Sequence, residues 1–118
     1  MKKEFIPYEE ALALKELGFS EVCFGFYYEE DSTLMCKVGN HTLIGYLNAP
    51  LYQQAFRWFR EKYGFYSLIS IHNDFKVMRN NGDFGSLHFE SGRYNTYQEA
   101  QDACLRKLIE IVKAKQRR

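Results

Sequence analysis

Cys23, Cys36 and His41 carry the softest metal-binding chemistry in this 118-residue chain. The two cysteines fall in segments that should pair as adjacent strands, and a thiolate pair with an imidazole suits zinc. A closed zinc site needs four ligands, and the chain has no Cys-x-x-Cys pair and no fourth ligand at suitable spacing. The expectation is no metal and no cofactor, with Cys23, Cys36 and Cys104 buried as small apolar side chains. His88-Phe89-Glu90 matches the H-x-E of zinc deaminases but lacks the P-C-x-x-C that completes their site. Asp83-Phe84-Gly85 matches the magnesium motif of kinases in a chain far too short for that fold, so it reads as a turn. The glycines form no phosphate-binding loop, and no serine has the context of a nucleophile elbow. Without a catalytic motif, the chain is expected not to be an enzyme.

One constellation points to binding. Asn73-Asp74 and Asn81-Gly82 have the composition of two-residue hairpin turns. Those turns set residue 72 opposite 75 and residue 75 opposite 88. Strand alternation then gathers Ile69, Ile71, Met78, Leu87 and Phe89 on a core face. The other face holds Ser70, His72, Phe75, Val77, Ser86, His88 and Glu90, with the two histidines flanking Phe75. A half-solvated antiparallel face has this mixed composition. So does a shallow binding face, on which exposed aromatic and histidine residues collect. The candidate binding residues are therefore His72, Phe75, His88, Ser70, Ser86 and Glu90.

These residues must be held by a framework, and its helices are the clearest signals. In residues 50–66, "PLYQQAFRWFREKYGFY", a 100° advance per residue puts Leu51, Tyr52, Ala55, Phe56, Trp58, Phe59 and Tyr63 in one arc. Gln53, Gln54, Arg57, Arg60 and Glu61 fill the opposite arc. The aromatics read as a core stripe rather than a base-stacking surface, and Lys62 at the border can reach out along its stem. "PYEEALALKELGF" has Pro7 in a first turn, early acids and a stop at Gly18. "TYQEAQDACLRKLIEIVKAK" opens with Thr96 and Glu99 as a capping box. Its apolar residues Tyr97, Ala100, Cys104, Leu108, Ile111 and Val112 recur at helical spacing, and its tail "KAKQRR" reads as a solvated, frayed end.

Between the helices lie "EVCFGFYY", "TLMCKV" and "HTLIGYL", then "FYSLISIH", "FKVMR" and "FGSLHFE", all strand-like. Gly39-Asn40 has the composition of a further hairpin turn. The order is αβββ-αβββ-α, an α+β fold of antiparallel meanders covered by three helices. The helix starts Tyr8, Tyr52 and Tyr97 are spaced by 44 and 45 residues. That spacing is compatible with an internal duplication inside one domain, 1–118, with half-repeats 7–49 and 50–95 and a C-terminal helix 96–115.

Ten Phe, nine Tyr and one Trp make an unusually aromatic chain of net charge +1. Residues 1–40 hold eight acids and four bases, whereas residues 41–118 hold seven acids and twelve bases. No apolar run approaches the ~20 residues that span a bilayer, and "MKKEFIPYEE" lacks the apolar core of a signal peptide. The expected setting is the cytoplasm, with no membrane partner.

The blocks "FIPYEEALALKELGF", "APLYQQAFRWFREKYGF" and "YQEAQDACLRKLIEIVK" resemble three blocks of uncharacterised small proteins carried by prophages and mobile elements of gut bacteria. They are the helices, so the resemblance implies a fold and an accessory intracellular role against a host, and no chemistry. The leading expectation is a non-enzymatic module that binds a host protein through a sheet face or edge. One alternative is weak nucleic-acid binding through Arg57, Arg60, Lys76, Arg79 and Arg93, which requires those five to share a face. The other is sequestration of a small anionic or nucleotide ligand between two subunits of a homodimer.

Overall fold

The computed structural model describes residues 4–81 and 84–116, with the backbone alone for residues 80, 81 and 84–86. The turn expected at Asn81-Gly82, the Asp83 of the Asp83-Phe84-Gly85 motif and the last two residues of the tail lie outside the described residues, as does the side chain of Ser86. The elements are α1 (Tyr8–Glu16), β1 (Gly25–Tyr28), β2 (Leu34–Met35), β3 (Tyr46–Ala49), α2 (Tyr52–Tyr63), β4 (Phe65–Ile69), β5 (Phe75–Asn81), β6 (Phe84–Glu90) and α3 (Tyr97–Gln116). This is an α+β fold with two three-stranded antiparallel sheets in the order αβββ-αβββ-α. The chain divides into two compact units, Met1–Tyr52 and Gln53–Arg118.

In the first unit, Pro7 occupies the N-cap position of α1 and Glu9 and Glu10 its first turn. The helix stops at Gly18, whose φ of 100° is one that only glycine adopts without strain. Gly18 N–H donates to the Lys15 carbonyl and Phe19 N–H to the Leu14 carbonyl, the two bonds of a Schellman motif. Ala11 and Leu14 of the helix are buried, and α1 packs on β3. The sheet order is β2-β1-β3, with Phe26 opposite both Met35 and Asn48. It therefore departs from the up-and-down order expected of this segment. Gly39-Asn40 makes no hairpin; Gly39 pairs with Cys23, and the chain crosses past β1 before β3 begins.

The second sheet follows the simple order β4-β5-β6, so the two αβββ halves do not share a strand order. On α2 the apolar arc is buried: Ala55, Phe56, Trp58 and Phe59 have little or no exposure, while Arg57, Glu61 and Lys62 face out. The Lys62 ammonium lies 5.0 Å from the Trp58 ring centre, its stem reaching past the stripe as its border position requires. Gly64, with a φ of 74°, ends α2 and leads straight into β4. Thr96 caps α3 by accepting the Glu99 N–H at 3.1 Å. The helix packs on β4 and β5 through a broad stripe that adds Ala103, Leu105 and Ile109 to the expected positions, whereas Tyr97 is exposed.

Register in this sheet differs from the expected one. Ile69 pairs with Phe75, so a five-residue turn, 70–74, joins β4 to β5. Ser70 and Asp74 close it: Ser70 N–H donates to the Asp74 carbonyl, the Ser70 hydroxyl donates to Asp74 Oδ1, and Asn73 adopts a φ of 60°. Across β5 and β6, Val77 opposes Phe89 while Met78 opposes Leu87, leaving His88 as the extra residue of a bulge. An odd shift in pairing exchanges the two faces of a strand. Phe65, Ser67, Ile69, Phe75 and Val77 thus share the inner face, and Phe75 is 1% exposed. Ile71, expected in the core, lies in the turn at 93% exposure, and Leu87 is exposed on the outer face.

Candidate functional site

The expected constellation is therefore dispersed. Phe75 is a core residue, stacked with Phe89 at 5.6 Å and Tyr94 at 6.1 Å between ring centres, and cannot anchor a partner. Ser70 and His72 belong to the β4–β5 turn, where Ser70 Oγ also accepts the His72 N–H at 3.1 Å. The Ser70 hydrogen bond holds the Asp74 carboxyl below its usual range. His88 sits at the bulge with its ring 5.3 Å from that of Phe65 on the helix-covered side, and Glu90 lies on the outer face 3.9 Å from Lys76. The Ser70 hydroxyl is turned to the carboxylate of its own turn rather than to a histidine ring.

What the sheet does present is the opposite face. Tyr66, Met78 and Leu87 form one cross-strand row, and Leu68, Lys76 and Glu90 form the next. Tyr66, Leu68 and Leu87 are all exposed, Leu68 at 61%. The signal for this face was present in the alternation of Tyr66 and Leu68 along β4, but a two-residue turn placed the strands in the wrong register.

The five candidate basic residues do not form one patch. Lys76 shares the outer face with Leu68, while Arg79, an odd number of residues along the same strand, points its guanidinium toward the Phe65 ring at 5.8 Å. Arg57 is exposed, Arg60 is half-buried in a shallow cleft with Leu68 and Tyr97, and Arg93 is exposed near the Asp74 carboxylate of the β4–β5 turn.

The first unit holds a second site that sequence reasoning missed. Phe26 and Tyr28 on β1 share a sheet face with Tyr46 and Asn48 on β3. Their three rings have centres 5.1–5.6 Å apart and are inclined by 58–78°. The His41 ring lies 4.3 Å from Phe26. Asn48, largely buried, fixes the loop above: its Oδ1 accepts the His41 N–H at 2.7 Å and its Nδ2 donates to Asn40 Oδ1 at 2.8 Å. His41 Nε2 is 3.0 Å from the Lys37 carbonyl. Phe26, Tyr28, Tyr46, Asn40 and His41 bound a groove of about 610 Å³ whose walls also include Met35, Cys36 and Leu43. A smaller pocket of about 260 Å³ lies behind His41, Thr42 and Tyr46, against α1.

Of the cysteines, Cys23 and Cys104 are buried as expected but Cys36 is exposed, because β2 ends at Met35 and leaves it in the crossing loop. Burial pushes the Cys104 thiol up to about 12, against a smaller opposing effect of a hydrogen bond with Ser67. Among the described residues no three His, Cys, Asp or Glu side chains are grouped to hold a metal, and no helix is long and apolar enough to cross a membrane.

The fold and these two surfaces define the class, a small α+β protein with an open apolar sheet face and an aromatic groove. No family model, curated protein or solved structure matches the chain.

Proposed function

We propose that this protein is a non-enzymatic binding module that grips a partner protein through the outer face of β4–β5–β6. One observation carries the reading: Tyr66, Met78 and Leu87 lie side by side across all three strands, with Leu68 beside them and Lys76 and Glu90 at the margin. An apolar centre with a charged margin is the anatomy of a protein interface, and water on such a face is released when a partner covers it. The resemblance of the helix blocks to small prophage and mobile-element proteins supports an accessory role against a host-cell target. Nucleic-acid binding has less support, since Lys76 and Arg79 occupy opposite faces of β5. Capture of a small anion has less as well, since the aromatic groove and the pocket behind His41 lie in a unit with eight acids and four bases.

The test begins with a partner captured from host-cell lysate on immobilised protein and titrated against the wild type and Leu87→Asp by calorimetry. Loss of an apolar contact and burial of an unpaired charge should weaken binding by ~2 kcal/mol or more, a factor of at least about 30. Equal affinity in the two proteins, with both folded, rejects this face as the contact surface.

A further inference from the structure

We propose that the aromatic groove of the first unit receives a lysine side chain from a basic, apolar-flanked peptide segment. The site is independent of the β4–β5–β6 face. Its floor supplies the chemistry: the half-buried Tyr28 and Tyr46 line one groove above the buried Phe26, and their mutual inclination of 58° presents two ring surfaces to it from different directions. Ring faces carry negative electrostatic potential, so a cation within about 6 Å of several ring centres is attracted by each.

The surrounding charge selects the same sign of ligand. Residues 1–52 contain eight acids against four bases. Three of those acids, Glu29, Glu30 and Asp31, follow Tyr28 directly in the turn between β1 and β2. Glu29 is engaged by Lys15 at 3.2 Å, while Glu30 and Asp31 are exposed. Lys37 also lines the groove, but beyond the other end of β2. An incoming ammonium is therefore steered to the Tyr28 end, roughly 10 Å away along the strands. The second unit satisfies comparable rings with its own cations, Lys107 over Phe89 at 4.2 Å and Lys115 over Phe65 at 4.7 Å. Among the described residues no lysine or arginine lies over the three rings of the first unit.

The size of the groove and its margin favour a peptide over a free amine. A volume of about 610 Å³ exceeds what one ammonium group fills. Met35 and Leu43 line it, and Val38 lies exposed just along the chain, all available to apolar residues flanking the lysine.

The experiment titrates the full chain, followed by NMR, with three probes. They are a short peptide of alternating leucine and lysine, the same peptide with norleucine for lysine, and butylammonium. The expected result is resonance shifts at Tyr28, His41 and Tyr46 with the lysine peptide. Norleucine should bind at least about tenfold more weakly, and butylammonium more weakly still. Tyr28→Leu, which keeps apolar bulk and removes the ring, should weaken the lysine peptide several-fold. Should that variant fail to fold, the exposed pair Glu30→Gln and Asp31→Asn provides the same reading through a loss of affinity that added salt reproduces. Equal binding of the norleucine peptide, or shifts confined to residues 53–116, overturns the proposal. Butylammonium binding as tightly as the peptide overturns the assignment of the groove to a peptide.

Discussion

Phe75→Ala against Leu68→Ala is the sharpest test of which side of the second sheet is the inside. Phe75 is 1% exposed and stacked with both Phe89 and Tyr94. A buried phenylalanine removes on the order of 150–200 Å² from water, worth about 4–5 kcal/mol at ~25 cal/mol per Å². Truncation in a close-packed core typically costs ~3–5 kcal/mol, and loss of two ring contacts places Phe75 toward the upper end. Leu68 leaves 61% of its surface in water, so its truncation should cost less than ~1 kcal/mol. Urea unfolding followed by far-UV circular dichroism measures both, with the midpoint as readout if the slopes agree. Were Leu68→Ala or Leu87→Ala the more damaging substitution, the proposed outer face would be the buried one and the reasoning would fail.

On α2, Phe59→Ala should destabilise by ~3–5 kcal/mol and Arg57→Ala by less than about 0.5 kcal/mol in the same urea assay, because the first is fully buried and the second faces solvent. In native protein at pH 8 a maleimide should label Cys36 first. Cys104, held near 12 by burial, should react slower by more than about two orders of magnitude until urea unfolds the chain. Asp74, whose carboxyl is lowered by the Ser70 hydrogen bond, favours the folded state above its ordinary value of 3.8; that contribution is lost as pH falls through the lower folded value. Thermal melts at stepped acid pH should therefore show a decline in the wild type that is reduced in Asp74→Asn.

Helices were legible in the sequence because their signals are local. The cap at Thr96, the stop glycines Gly18 and Gly64 and the 3.6-residue stripe of α2 each need only a few neighbouring residues to be read. Sheet pairing is not local, and there the structure departs from the local signals. Asn73-Asp74 resembles a two-residue turn, yet Ser70 competes for the Asp74 carboxylate and starts the turn three residues earlier. Leu87 and Phe89 look like partners on one face, but the extra residue between them sends one out and the other in. The aromatic groove was invisible for a related reason. Its rings come from β1 and β3, whose pairing across the sheet replaces the hairpin that Gly39-Asn40 suggested.

The bulge at His88 has a consequence for how this sheet can change length over generations. Leu87 and Phe89 stand on opposite faces with one unpaired residue between them. Deleting His88 would bring them together as consecutive residues of a regular strand, which point to opposite faces anyway. Leu87, Phe89 and Glu90 would keep their sides. A one-residue deletion elsewhere in β4 or β5 would instead turn the rest of the strand inside out. The sheet thus contains one position at which the reading frame of the strand can lose a residue without exchanging its two faces, and a His88 deletion variant should retain the wild-type circular dichroism spectrum while a Val77 deletion variant should not.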